Sequence, residues 1–80
     1  MPTVLRVAGY RIVIFTDDHL PAHVHAVSGI ARAKIALGSA DESPSLIEVE
    51  GINKNDMRKI FAAVCENQDM LLAKWREIHG

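Results

Sequence analysis

Three of the four histidines in this chain fall within seven positions: His19, His23 and His25. Imidazole is the side chain that exchanges a proton near neutral pH, and when neutral it is a common ligand of zinc or nickel. The cluster therefore has two chemistries open to it, acid–base catalysis and metal ligation. His23 and His25 are two apart in a run of β-forming residues, so in a strand they project from one face, while Val24 and Ala26 project from the other. His19 precedes them in a loop, with Asp17 and Asp18 beside it. The fourth histidine, His79, is at the end of the chain, away from the cluster.

Those side chains are positioned by their strands. Thr3 to Val7 and Tyr10 to Phe15 read as a first hairpin, and the segment 16–22 around Pro21 reads as a loop. His23 to Val27 and Ile30 to Leu37 read as the next two strands, joined by Ser28-Gly29 as a two-residue turn. In that register Val27 pairs with Ile30, His25 lies opposite Arg32 and His23 opposite Lys34. The outer face then carries two imidazoles beside two cations. The inner face collects Val24, Ala26, Ala31, Ala33 and Ile35. A slip of one residue would exchange the faces. Ser45 to Glu50 reads as a fifth strand, with Glu48 and Glu50 on one face, and Arg11 is a further candidate for the positive surface.

Three uses of the outer face follow. His19, His23, His25 and an Asp can form a divalent metal site for zinc or nickel, but Arg32 and Lys34 would repel a dication; no cofactor is favoured. Alternatively, Arg32 and Lys34 hold phosphate oxygens while His23 and His25 supply the base and acid of metal-independent RNA cleavage, with Asp18 and His19 at the rim. In the third reading the face is a solvated surface or a protein interface with no catalysis.

A cover for the inner face must come from the C-terminal third. Asn53 is a helix N-cap with Asp56 three residues on. After it Met57, Phe61, Val64, Gln68, Leu71, Trp75 and Ile78 recur at spacings of three and four, with Ile60, Cys65 and Leu72 widening the stripe. That pattern predicts one helix of about six to seven turns, with a bend or break at the polar Asn67-Gln68-Asp69. Phe61 and Trp75 are expected in the core, Tyr10 half in it with a polar tip, and Cys65 as an inert buried thiol. The fold class is thus α+β: an antiparallel β-meander of about five strands on one long C-terminal helix, with residues 1–80 as a single domain.

Bulk composition narrows the setting. The 80 residues carry a net charge of −1, which gives no strong case for nucleic acid or anionic membrane. The charge is uneven, with residues 1–38 net +2, residues 39–56 net −4 and residues 57–80 net +1. The single cysteine cannot form an internal disulfide, and neither a signal segment nor an apolar run of membrane-spanning length is visible, so a reducing cytoplasmic setting is expected. A chain this short buries roughly 60–65% of its unfolded surface, so dimerisation or a partner would stabilise it.

Several segments together resemble a known family: Met1-Pro2-Thr3-Val4-Leu5-Arg6, Gly9-Tyr10-Arg11, Asp18-His19-Leu20-Pro21-Ala22-His23-Val24-His25, Ala33-Lys34, and Leu71-Leu72 followed by Trp75. The family is the bacterial domain of unknown function 4160, whose motif usually reads His-x-Pro-Pro-His-Val-His; here Ala22 replaces the second proline, which loosens the loop. Members resemble small stand-alone proteins encoded beside a second small protein, which has suggested toxin–antitoxin pairs, and no activity is established for them. The resemblance implies His19, His23, His25 and Lys34 as the motif and a small partner protein. It supplies no reaction. The expected function is a toxin–antitoxin-like component acting on RNA through the His/Lys/Arg face. The alternatives are a non-catalytic module holding a neighbouring small protein, or a His-rich metal-binding protein.

Overall fold

The computed structural model describes residues 3–16 and 19–79. Asp17 and Asp18, expected near the histidines, lie outside the described residues. Five strands run β1 (Thr3–Val7), β2 (Tyr10–Val13), β3 (His23–Ser28), β4 (Ala31–Ala36) and β5 (Ser45–Glu50), followed by helices α1 (Lys54–Glu66) and α2 (Gln68–His79). The strands form one antiparallel sheet in the order β1-β2-β3-β4-β5, the expected meander. β2 ends at Val13, two residues earlier than Phe15.

The inner face is built from alternate residues. Leu5, Ile12, Ala26, Ala33 and Val49 form one row across all five strands. Ile12, Val24, Ala26, Ala33 and Ile35 are buried there with Ile60, Val64, Leu71 and Trp75 of the helices. The helical stripe thus covers the sheet as its period requires. Cys65, expected to be buried, is exposed, because it falls outside the arc that Val64 and Leu71 turn to the sheet.

The helix is two adjacent pieces. Asn53 caps α1: its side chain accepts from Asp56 N–H at 2.8 Å and donates to Asp56 Oδ2 at 3.2 Å, a reciprocal cap. Asn67 ends α1, donating from its side chain to the Ala63 carbonyl at 2.8 Å. The polar interruption has a purpose in the fold. The two N–H groups of Gln68 Nε2 are shared among three carbonyls, those of Leu37 (2.7 Å), Ser39 (2.9 Å) and Glu42 (2.7 Å). One amide thereby ties the β4–β5 loop to the helix junction. The loop closes tightly at Gly38, whose φ is +71° and where a Cβ would strike the Glu42 carbonyl.

Candidate functional site

The β3–β4 register differs from the expected one. Ser28 pairs with Ala31, so Gly29-Ile30 is the turn, His25 lies opposite Lys34, Val27 opposite Arg32 and His23 opposite Ala36. Gly29 takes the positive φ (+58°) that a tight hairpin turn demands. The shift is two positions, one full pleat, so every residue keeps its expected face while the cross-strand partners change.

The charged groups of the outer face lie in two adjacent rows. One runs Arg6, Arg11, Val27, Arg32, Glu50, and the next runs Val13, His25, Lys34, Glu48. Arg32 Nε lies 3.4 Å from Glu50 Oε2, with both side chains largely exposed. Lys34 stands opposite Glu48 but forms no ion pair with a described residue. Arg6 and Arg11 are exposed and face each other directly across β1 and β2, a like-charge pair without a described acidic partner. Arg11 was expected on this surface. Arg6 was missed, and its signal lay in the Ala8-Gly9 turn, which fixes Arg6 against Arg11.

The histidines are not equivalent. His23, expected on the solvent side, is 4% exposed. Its Nδ1 is 2.8 Å from the Pro21 carbonyl; a carbonyl only accepts, so Nδ1 carries the proton and neutral His23 holds its lone pair on Nε2. The ring sits 5.0 Å from His25 and 5.3 Å from Trp75. His25 is half-buried, with its Nε2 shielded from solvent, and meets Phe15 edge-on at 4.7 Å. His79 stacks on Trp75 at 3.9 Å. Phe15, His25, His23, Trp75 and His79 therefore form one continuous series of rings, from the outer face of the sheet round its end to α2. His79, discounted from the sequence, belongs to this series. His19 is exposed.

Two clefts flank the His19-Leu20 loop. One, of about 240 Å³, is lined by His19, Leu20, Pro21, His23, His25, Lys34 and Ile47. It brings three imidazoles and an ammonium together with no carboxylate among the described lining residues. The second, of about 590 Å³, lies between the loop and α2 and includes His19, Leu20, Trp75, Arg76 and His79. The described lining of the first cleft supplies one cation and three imidazoles, groups suited to holding an anion and exchanging protons with it. Among the described residues no three His, Cys, Asp or Glu side chains are grouped to hold a metal ion. No helix among the described residues is long and apolar enough to cross a membrane.

Comparison with curated proteins and with solved structures finds no match. A family model does match, over residues 9–76, a span that takes in all three clustered histidines, Lys34 and Trp75. The chain belongs to the family described as domain of unknown function DUF4160.

Proposed function

We infer that the protein is a toxin–antitoxin-like component that binds RNA, and cleaves it, through the cleft of His19, His25 and Lys34. One observation carries this reading: three imidazoles and a lysine converge on a small cleft beside a sheet face bearing Arg6, Arg11 and Arg32. Lys34 would hold a phosphate oxygen and offset charge as it builds on phosphorus. His19, the open imidazole, and His25, on the cleft wall, would exchange the protons of 2′-hydroxyl attack and leaving-oxygen departure. His23 is a positioning residue in this scheme, since a ring 4% exposed and bound to Pro21 serves to fix the loop against the strand. Arg6 and Arg11, without an acidic partner among the described residues, would take adjacent phosphates and relieve their mutual repulsion.

The test is growth after induced expression in a bacterium, wild type against His25→Ala and His19→Ala, with total RNA examined in each. Growth arrest with RNA fragmentation in the wild type alone is expected. Equal growth and intact RNA in all three strains would overturn cleavage, and the protein would then be a binding module for a neighbouring small protein.

A further inference from the structure

β5 is an edge strand whose six residues are all exposed. Leu46, Ile47 and Val49 are 44%, 48% and 42% exposed, a concentration of large apolar side chains on one strand. An edge of this kind is a template for pairing unless it is blunted. The opposite edge is blunted: β1 has a register shift between Thr3 and Leu5 and carries the exposed Arg6. β5 has no lysine or proline within it; of its two charges Glu50 is paired with Arg32, and Glu48 stands opposite Lys34 across the ladder.

The order of faces along β5 points to its occupant. Val49 pairs with Ala33 and Leu46 with Ile35, which places both on the inner side. Glu50, Glu48 and Ser45 pair with Arg32, Lys34 and Ala36 on the outer side. Ile47 is the extra residue at the register shift and lines the outer-face cleft with His25 and Lys34. From Ser45 to Glu50 the faces therefore read out, in, out, out, in, out. This sequence is the same in both directions.

We propose that β5 pairs antiparallel with β5 of a second copy, about a two-fold axis between Ile47 and Glu48, so that two sheets join into one of ten strands. Opposed residues of an antiparallel pair share a face. Centring the axis on Ile47 would set Leu46 against Glu48, and centring it on Glu48 would set Leu46 against Glu50. The axis between them sets Leu46 against Val49 of the second copy on the inner side, and Ser45 against Glu50 on the outer. The interface is isologous and closed, so it ends at a dimer. It extends the apolar inner face past its own edge, beside the groove of about 440 Å³ formed by Leu46, Met57 and Phe61 with Lys54 and Arg58. The cleft lined by Ile47 then adjoins the seam, so each dimer presents two clefts near its axis.

Sedimentation equilibrium of the full chain, taken across a wide range of concentration, is expected to give a monomer–dimer equilibrium. Val49→Lys would raise the dimer Kd by about tenfold or more with an unchanged circular dichroism spectrum. A disulfide trap fixes the register. Ser45→Cys and Glu50→Cys, each in a Cys65→Ser background, are mixed and oxidised. The mixture should give cross-linked dimer and neither protein alone should, because like positions lie ~16 Å apart in this register. A wild type that stays monomeric throughout, or a Val49→Lys protein that associates like wild type, overturns the proposal. Equal cross-linking by the single variants overturns the register.

Discussion

Lys34 lies directly opposite His25 across the β3–β4 ladder. The ammonium and the imidazole are therefore held on one face by backbone pairing, without needing a hydrogen bond between their side chains. Because Lys34 also faces Glu48 on its other side, its charge is shared between the cleft and β5.

If the cleft takes a phosphate, Lys34→Gln should weaken binding of a single-stranded RNA oligonucleotide and flatten its salt dependence by about 0.7 in the slope of log K against log salt. Arg6→Gln should do the same if the Arg6–Arg11 pair is a second phosphate contact. Glu48→Gln should move affinity the other way by leaving Lys34 uncompensated. Fluorescence anisotropy titrations at several potassium chloride concentrations measure all three. Unchanged slopes in the Lys34 and Arg6 variants would remove the outer face from the RNA path.

The β4–β5 loop should depend on one amide. Gln68→Ala leaves the carbonyls of Leu37, Ser39 and Glu42 without their side-chain donor and is expected to cost roughly 1–3 kcal/mol. Gln68→Glu keeps the shape, but its ionised carboxylate donates nothing and meets three oxygens, so it should be worse. Gly38→Ala should be comparably damaging, since the φ of +71° and the Glu42 carbonyl both oppose a side chain. Thermal unfolding ranks the three, and a Gln68→Glu protein as stable as wild type would show that the amide does not anchor the loop.

Tyr10 links β2 to the start of α1 through its hydroxyl and Asp56 Oδ2, 3.5 Å apart. Burial first, then the Asp56 charge and the hydrogen bond, raises its pKa above the ordinary 10.0. A raised pKa means that folding favours the protonated phenol. That contribution to stability is full below the unfolded-state value and is lost as pH climbs through the folded-state value. Spectrophotometric titration of the phenolate should give a value above that of the unfolded chain, and Asp56→Asn should lower it only in part, because burial persists. A folded-state value equal to the unfolded one would separate Tyr10 from Asp56 in solution.

Much of this molecule is legible in its sequence because two periods suffice for it. Alternation sorted Val24, Ala26, Ala33 and Ile35 to one face, and the three-and-four spacing of Val64, Leu71 and Trp75 turned the helices toward them. The exact partner of His25 was not legible, since Ser28-Gly29 and Gly29-Ile30 are both two-residue turns that conserve the faces; only the backbone at Gly29 decides between them. The burial of His23 was hidden for a related reason. Alternation assigns it to the outer side, but it begins β3, where Pro21 and Trp75 close over the end of the sheet. Val13 is similar: it is fully buried on the outer side, opposite His25, a burial that no period announces. Cys65 was misplaced because a stripe widened to three residues per turn includes positions beyond the buried arc.

The different surroundings of His19 and His23 make a prediction that separates chemistry from architecture. His23→Ala removes a ring that is 4% exposed, packed 5.3 Å from Trp75 and bonded to Pro21. It leaves a cavity beside the indole and a carbonyl without its donor, a loss of about 2–4 kcal/mol. For a domain of this size each kcal/mol lowers the Tm by about 4–8 °C. His19→Ala removes an exposed ring and should change stability by no more than about 0.5 kcal/mol. If the cleft cleaves RNA as proposed, both variants should lose that activity, His23→Ala through loss of the folded loop and His19→Ala with the fold intact. His23→Gln offers a partial control, since its amide can donate to Pro21 but cannot replace the ring. Calorimetry on the three proteins, read beside their cleavage, checks the division. A His23→Ala protein with wild-type Tm and no activity would instead place His23 among the catalytic residues.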